Sequence, residues 1–123
     1  MLYKRLDKRD QLCVLSVSTD VLDLDGVVVT DGNASSDYIS FRSAPGGLEI
    51  VNKELAFAEF WTDPDPIVKY RKSAAKCAEV LVPDRVDPRY LRRAYVWRED
   101  VCARLRADAG ALQVTVNRHL FFA

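Results

Sequence analysis

The spacing of apolar and polar positions changes several times along this chain, and the changes mark alternating strands and helices. Alternating or short continuous apolar runs, typical of strands, occupy Gln11 to Val17, Val27 to Thr30, Cys77 to Val82, Ala94 to Trp97, Leu112 to Val116 and Leu120 to Phe122. Three further segments have helical spacing, namely Asn52 to about Trp61, Pro66 to Lys76, and Glu99 to Asp108. Strands interleaved with helices predict an α+β domain built on a mixed β-sheet flanked by helices.

Capping and turn residues place the ends of these elements. Asn52 can cap the first helix, and the Asp63-Pro64-Asp65-Pro66 sequence breaks it, because each proline disfavours a helical residue before it. Pro66 suits the first turn of the next helix, and Gly110 is a credible stop after Asp108. Lys4 to Asp10 is predicted to be a polar connection, and Thr19 to Asp25 a loop or one helical turn.

The segment from Asn33 to Glu49 is polar and rich in small residues, yet it contains Tyr38, Ile39 and Phe41. A pure linker carries fewer aromatic residues. The pattern therefore predicts a long, structured surface loop, which is either an ordinary exposed connection or a functional segment.

Composition restricts the class of protein. The 123 residues are 49% hydrophobic and 29% charged, which fits one globular domain over residues 1–123. Eighteen basic residues balance eighteen acidic ones. A nucleic acid would therefore have to be held by a local basic patch and not by overall charge.

Cysteine and histidine usage argues against a disulfide framework and a zinc site. Cys13, Cys77 and Cys102 are odd in number and lie within apolar segments, which predicts buried free thiols in a reducing compartment. His119 is the only histidine, and no metal is expected. The sequence has neither a signal peptide nor an apolar run long enough for a membrane span, so we expect a cytoplasmic protein.

Glu79 is the strongest candidate for chemistry in the sequence. It lies within the apolar run from Cys77 to Val82, where it is either a half-exposed glutamate at a sheet edge or a functional carboxylate in an apolar setting. Asp31 is the most plausible second acid. A serine hydrolase triad and a phosphate-binding glycine loop both lack the residues they require.

The helix that precedes Glu79 is basic and carries one aromatic residue. Its cations and its tyrosine are Lys69, Tyr70, Arg71, Lys72 and Lys76. Cations beside an aromatic ring are suited to single-stranded nucleic acid, although the same pattern is typical of a solvated helix face. Trp61 is similarly either a core residue or a stacking platform.

Three segments in order resemble the carboxyl-terminal half of the DarT family of DNA ADP-ribosyltransferases. They are Val28 to Ala34, which resembles a Thr-Asp-Gly-His-Ala segment of the family, Phe60 to Asp63, which resembles its tryptophan-containing segment, and Lys76 to Val82, which resembles its catalytic strand. The segment Asn117 to Phe122 is similar to the aromatic tail of the family, so the resemblance covers about residues 1–122.

The resemblance implies an ADP-ribosyltransferase-like fold and transfer of ADP-ribose from NAD to a base in single-stranded DNA. It makes Glu79 the catalytic glutamate, residues 33–62 the substrate loop, and NAD a substrate. The substrate-binding residues expected around this site are Asp31, Asn33, Trp61, Tyr70, Arg71, Lys72 and Lys76. The family also implies a toxin whose partner is a macrodomain antitoxin that removes the modification.

Two departures from the family pattern lead to alternatives. Met1-Leu2-Tyr3 resembles a segment in the middle of the family domain, so we expect an amino-terminally truncated chain that lacks most of the NAD pocket. Asn33 stands where the family often has histidine. The alternatives are a catalytically inactive remnant that binds single-stranded DNA or a protein partner through the basic helix 66–76, and a protein-interaction domain with no nucleic-acid role.

Overall fold

The computed structural model describes residues 2–121, which divide into two compact units. A central unit comprises Asp20–Val86, and a terminal unit comprises the described parts of Met1–Thr19 and Asp87–Ala123. The strands are β1 Val14–Val17, β2 Val28–Thr30, β3 Phe41–Ser43, β4 Val80–Leu81, β5 Leu91–Val96 and β6 Gln113–Val116. The α-helices are α1 Lys53–Ala56, α2 Pro66–Ala75 and α3 Glu99–Asp108. The single domain over residues 1–123 stays a prediction.

The terminal unit is a mixed three-stranded sheet with α3 packed on one face. Its strand order is β1-β5-β6, with β1 antiparallel to β5 and β6 parallel to it. Parallel neighbours need a crossover connection, which α3 provides. The buried core of this unit contains Ala94, Val96, Val101, Cys102 and Val114. Gly110, with a φ of 59° just beyond α3, takes the left-handed conformation that ends a helix.

The amino-terminal segment Leu2–Gln11 is a kinked 3₁₀ helix and not the polar connection that the sequence predicts. Its last turn is tied to the end of β5 by the carboxylate of Asp10. That carboxylate accepts hydrogen bonds from the indole N–H of Trp97 at 2.7 Å and from the guanidinium of Arg98 at 3.0 Å. Arg98 also pairs with Asp100 and thereby lowers the pKa of that carboxyl group.

The central unit is built on an antiparallel sheet in which β2 lies between β3 and β4. The β-branched run before the first turn supplies its core, with Val27, Val29 and Thr30 buried. Asn52 caps α1 by accepting from the N–H of Leu55 at 3.0 Å. Asp65 caps α2 in the same way, and Pro66 occupies its first turn as predicted.

The predicted α+β class is confirmed, and its β-structure is divided between two small sheets. The helix Glu99–Asp108 and the strands after Gln11, Val27 and Leu112 are also confirmed. The predicted helix from Asn52 to Trp61 is wrong beyond Ala56. The predicted strand end at Leu120 is wrong because Arg118–Phe121 form a 3₁₀ helix, and Phe122 lies outside the described residues. Strand β3 was not expected within the long loop.

Candidate active site

Strands β2 and β4 bring Thr30 and Glu79 together at one end of the central sheet. Val29 pairs with Val80, and the pairing continues by one residue because the N–H of Thr30 donates to the carbonyl of Glu79 at 2.9 Å. Beyond this pair of residues, both backbone segments leave the sheet. The turn that follows Thr30 therefore begins directly beside Glu79. Two of the three segments that resemble the family, Val28 to Ala34 and Lys76 to Val82, are thus neighbours.

The hydroxyl of Thr30 links the turn after β2 to the backbone of Glu79, at the point where the two segments diverge. Thr30 is fully buried, and its Oγ1 donates to the carbonyl of Gly32 at 2.6 Å. The same oxygen accepts from the N–H of Glu79 at 3.1 Å. A buried hydroxyl needs such partners, because leaving it unbonded costs free energy.

The carboxylate of Glu79 is held against the turn after β2. Its Oε2 accepts a hydrogen bond from the backbone N–H of Ala34 at 2.9 Å, and the side chain is exposed. Of the two settings that the sequence left open for Glu79, the apolar one is wrong and the exposed one is confirmed. Cys77 and Ala78 continue the turn after α2, donating to the carbonyls of Ala74 and Ala75, so the strand begins only after Glu79.

The turn from Asp31 to Ala34 is shaped by its own polar side chains. The carboxylate of Asp31 accepts from the N–H of Ser40 at 2.9 Å. The side-chain carbonyl of Asn33 accepts from the N–H and the hydroxyl of Ser35, at 3.0 and 2.7 Å. Both side chains therefore fix the path of the loop through bonds to its backbone, which is a role that the sequence pattern did not reveal.

Gly32 permits the turn to lie close to α2 and to the loop. A Cβ at this position would lie 2.6 Å from Cδ1 of Ile39 and 3.1 Å from the carbonyl oxygen of Ala74. Glycine is therefore required here because the backbone approaches its neighbours closely. Among the described glycines, the positive φ angles belong to Gly26 and Gly110.

A cleft of about 540 Å³ lies between the loop after β2 and helix α2. Three of the predicted substrate-binding residues line it, namely Asp31, Tyr70 and Arg71. Its apolar lining includes Ile39 and Ile67. Tyr70 is 62% exposed and Arg71 is exposed, so both can reach a ligand without rearrangement of the helix.

Trp61 lies in the connection between α1 and α2, while Lys72 on α2 and Lys76 at its carboxyl-terminal end contact that connection, and none of the three lines the cleft. The ammonium group of Lys72 bonds to the carboxylate of Asp63 at 2.8 Å, and this bond holds the pKa of Asp63 below its ordinary value. The ammonium of Lys76 donates to the carbonyl of Ala58 and lies 5.7 Å from the centre of the Trp61 ring. These cations therefore hold the connection in place.

Exposed aromatic side chains form a feature that the sequence pattern did not predict. Phe57 is 82% exposed, Phe60 81% and Tyr38 fully exposed. Tyr38 has a φ of 63°, a left-handed conformation that is uncommon for a residue other than glycine. The two phenylalanines lie in the segment from Asn52 to about Trp61 that the sequence predicts to be helical. Because the helix ends at Ala56, they lie on an irregular connection and face solvent.

Charge is distributed unevenly between the two units. The central unit has more acidic than basic residues, and the terminal unit has more basic than acidic ones. The two units therefore have net charges of opposite sign, which cancel over the whole chain. Within the central unit, Lys69 and Arg71 are exposed cations of α2. A phosphate backbone at this unit would therefore depend on such local cations and not on the charge of the unit.

Several other expectations concern metals, thiols and membranes. Cys102 is buried as predicted, but Cys13 is exposed and Cys77 half-buried, so buried thiols are confirmed for one cysteine of three. Within residues 2–121, histidine, cysteine and acidic side chains form no cluster able to hold a metal ion. The helices of the same range include none with the length and apolar character of a membrane span.

The sequence and the fold are similar to those of known ADP-ribosyltransferases. The family described as ssDNA thymidine ADP-ribosyltransferase, DarT, matches residues 1–122. A DNA ADP-ribosyl transferase–DNA ADP-ribosyl glycohydrolase fusion protein from Thermosipho africanus is 33% identical over an alignment of 110 residues that covers 86% of this chain. The chain spans 27% of the length of that relative.

Solved structures support the same assignment. The structure of Thermosipho africanus DarTG in complex with ADP-ribose has a TM-score of 0.78 and 26% identity over 99% of this chain and 32% of its own. Thermus sp. 2.9 DarT in complex with NAD+ has the same fold, with a TM-score of 0.70 and 20% identity over 86% of this chain and 55% of its own. The resemblance seen in the sequence is confirmed, and the protein belongs to the DarT family of single-stranded DNA thymidine ADP-ribosyltransferases.

Proposed function

We propose that this chain supplies the catalytic glutamate and the DNA-contacting loop of an enzyme that transfers ADP-ribose from NAD to a thymidine base in single-stranded DNA. The observation that carries the proposal is the hydrogen bond between the Glu79 carboxylate and the N–H of Ala34 at 2.9 Å. It joins the glutamate to the turn through which the chain enters the substrate loop. Family membership supplies the reaction class.

The chemistry suits a fixed, solvent-facing carboxylate. Breaking the bond between the ribose and nicotinamide develops positive charge on the ribose, as in glycoside hydrolysis. A carboxylate in a fixed position can stabilise that charge, orient a ribose hydroxyl or take the proton that the attacking base releases. Nicotinamide leaves with the electron pair of the broken bond, and the base forms the new bond to the same carbon.

The loop between β2 and α2 offers the contacts that a single strand requires. Bases stack on aromatic side chains regardless of sequence, and Phe57, Phe60 and Tyr38 are exposed for this purpose. The cleft, which Tyr38 helps to line, presents Tyr70 and Arg71. We assign the stacking of unmodified bases to the two phenylalanines and contact with phosphate to Arg71.

The partner and compartment follow from the same reaction class. The Thermosipho relative is described as a fusion of the transferase with a DNA ADP-ribosyl glycohydrolase. We propose that this protein is the toxin of a toxin–antitoxin pair, that a macrodomain glycohydrolase removes its product, and that both act in the cytoplasm, where NAD and DNA are available. Free cysteines agree with a reducing compartment.

The alternative of an inactive remnant that binds DNA through helix 66–76 receives less support. Lys72 is bonded to Asp63, and Lys76 to Ala58. Lys69 and Arg71 remain exposed for phosphate. Two exposed cations are enough to help hold a substrate strand at the cleft. They are few for a surface that binds DNA without the cleft.

Mass spectrometry of oligonucleotides tests the proposal. The chain as encoded, with any upstream sequence in frame, is incubated with NAD and thymidine-containing single strands. We expect a mass increase of one ADP-ribose on thymidine-containing strands and none on strands without thymidine. An absence of adduct on every strand would contradict the proposed activity.

A further inference from the structure

Thr30 occupies a position where a purely apolar side chain would satisfy packing alone. It follows Val28 and Val29 on β2, and its side chain is fully buried. Burying a hydroxyl is unfavourable unless it is hydrogen-bonded, whereas valine has nearly the same shape and no such requirement. The hydroxyl of Thr30 therefore has a role beyond filling the core.

The bonds of that hydroxyl show what it holds. Its Oγ1 donates to Gly32 at 2.6 Å and accepts from the N–H of Glu79 at 3.1 Å. In a regular antiparallel ladder, a backbone carbonyl would accept from the N–H of Glu79. Here the chain turns away after Thr30, and the threonine side chain takes the place of that carbonyl. One side chain thus fixes both the start of the turn and the backbone of the glutamate.

The two ends of this arrangement meet again at the carboxylate of Glu79. Gly32 leads through Asn33 to Ala34, whose N–H donates to Oε2 of Glu79 at 2.9 Å. Thr30, the turn and Glu79 therefore form a closed ring of contacts. Because the backbone of Glu79 is fixed at one point by Thr30, its carboxylate can be fixed at another by Ala34.

We propose that Thr30 is a positioning residue that holds the Glu79 carboxylate in register with the turn at Ala34. The inference rests on the proposed function for its catalytic consequence, while the positioning itself is a property of this chain alone. A shift of about 1 Å at a reacting group costs on the order of 100-fold in rate. Loss of the hydroxyl therefore lowers the rate of transfer without removing any group that touches a substrate.

Amide hydrogen exchange tests the positioning without any need for activity. Thr30→Val removes the hydroxyl, and Thr30→Ser keeps it. In the Val variant, exchange at the amides of Glu79 and Ala34 rises by about fivefold to tenfold, the equivalent of one hydrogen bond. In the Ser variant, exchange stays within about twofold of the original chain, because the donor and acceptor remain.

The amide of Ala44, which donates to Val27 at 2.9 Å in the same unit, is the internal reference. Unchanged exchange there with faster exchange at Ala34 supports the proposal, since a general loss of stability would accelerate all three amides. The proposal is overturned if the amides of Glu79 and Ala34 exchange in Thr30→Val at the rate of the original chain. It is also overturned if they exchange in Thr30→Ser as fast as in Thr30→Val. Should the Val variant lose its cooperative melt, Thr30→Ala, which also removes the hydroxyl, takes its place.

The kinetic arm separates this inference from the proposed function. In enzyme that forms the adduct, Thr30→Val lowers kcat by about 100-fold while the KM for NAD changes little, and Thr30→Ser restores kcat. Equal losses in the Val and Ser variants overturn the role of the hydroxyl. Without adduct from the original chain, the proposed function fails, and exchange at Ala34 still decides the positioning. Thr115→Val, on β6 of the terminal unit, is the matched control.

Discussion

The carboxylate of Glu79 accepts a hydrogen bond from the backbone N–H of Ala34, 45 residues earlier in the chain, at 2.9 Å. This contact joins the end of β4 to the turn after β2. It gives an exposed carboxylate a fixed position, which a solvent-facing glutamate ordinarily lacks. The proposed chemistry at Glu79 depends on that fixed position, because a carboxylate acts on developing charge only when it is already oriented.

Gly32→Ala should disturb the turn next to Glu79. The new Cβ would meet Cδ1 of Ile39 and the carbonyl of Ala74, so we expect a loss of about 1–3 kcal/mol in the free energy of unfolding. The matched control is Gly46→Ala, where a Cβ meets nothing within 4 Å and stability should stay the same or rise by about 0.4–1 kcal/mol. Urea unfolding measures both. Equal stabilities of the two variants would refute the close approach at Gly32.

Phe57→Ala and Phe60→Ala should weaken binding of single-stranded DNA without unfolding the protein. Both rings are more than 80% exposed, so each change should alter stability by less than about 0.5 kcal/mol. Loss of one stacked base should cost about 1–3 kcal/mol of binding. Fluorescence anisotropy with a labelled oligonucleotide measures the affinity. The control is Leu120→Ala in the terminal unit, and affinities of both Phe variants equal to that control would disprove the stacking role.

Reversal of charge at Lys69 and Arg71 should reduce the salt dependence of DNA binding. Each lost phosphate contact lowers the slope of log K against log salt by about 0.7 for single strands. Lys72→Met should instead lower the melting temperature and leave the slope unchanged, because Lys72 is bonded to Asp63. Titrations at several salt concentrations distinguish the two sites. If Lys72→Met changes the slope as much as the reversals do, the assignment of phosphate contact to Lys69 and Arg71, and of a structural ion pair to Lys72, is wrong.

The ion pair between Asp63 and Lys72 should stabilise the central unit only while Asp63 is ionised. Folding lowers the pKa of Asp63, so its contribution is complete above about pH 4 and is lost as the pH falls through the lower folded value. The stability difference between the original chain and Asp63→Asn should therefore be constant from neutral pH to about pH 4 and shrink below it. Urea unfolding at a series of pH values measures this. In a Lys72→Met background the shrinkage should become smaller but not vanish, because the N–H of Asp65 also bonds to the Asp63 carboxylate, and a shrinkage of undiminished size would exclude Lys72 as the main cause.

Local signals in the sequence were sufficient for some elements. Helix α3 has its apolar face, Val101, Cys102 and Leu105, within three turns of chain, and its stop at Gly110 follows at once. The cap at Asn52 and the start of α2 at Pro66 are similarly predicted by neighbouring residues. In each case the residues that decide the structure are close together in the chain.

The setting of Glu79 could not be predicted in the same way. The apolar run from Cys77 to Val82 has the composition of a buried strand, but its pairing depends on β2, which lies 49 residues away at Thr30. The turn after α2 extends through Ala78 and shortens the strand to two residues. The sequence pattern therefore left open whether this carboxylate is exposed or lies in an apolar setting, and the tertiary structure decides between the two.

The roles of the charged and aromatic residues also depend on contacts outside their own helix and on where that helix ends. Lys72 and Lys76 have the spacing of a solvated helix face, yet Asp63 and Ala58 bind their ammonium groups. Phe57 and Phe60 lie in the segment predicted to be helical and are exposed because α1 ends at Ala56. Which cations and aromatic rings remain accessible therefore follows from the tertiary structure.

The measurement that tests the central claim most directly compares adduct formation by the original chain, Glu79→Gln and Glu99→Gln under identical conditions. Glu99 is an exposed glutamate of α3, outside the substrate loop, and serves as the control. We expect an ADP-ribose adduct on thymidine-containing single strands with the original chain and with Glu99→Gln, and a rate reduced by about 10²–10⁴-fold with Glu79→Gln, while all three bind the oligonucleotide equally. An adduct formed by Glu79→Gln at the original rate would contradict the assignment of Glu79 as the catalytic carboxylate.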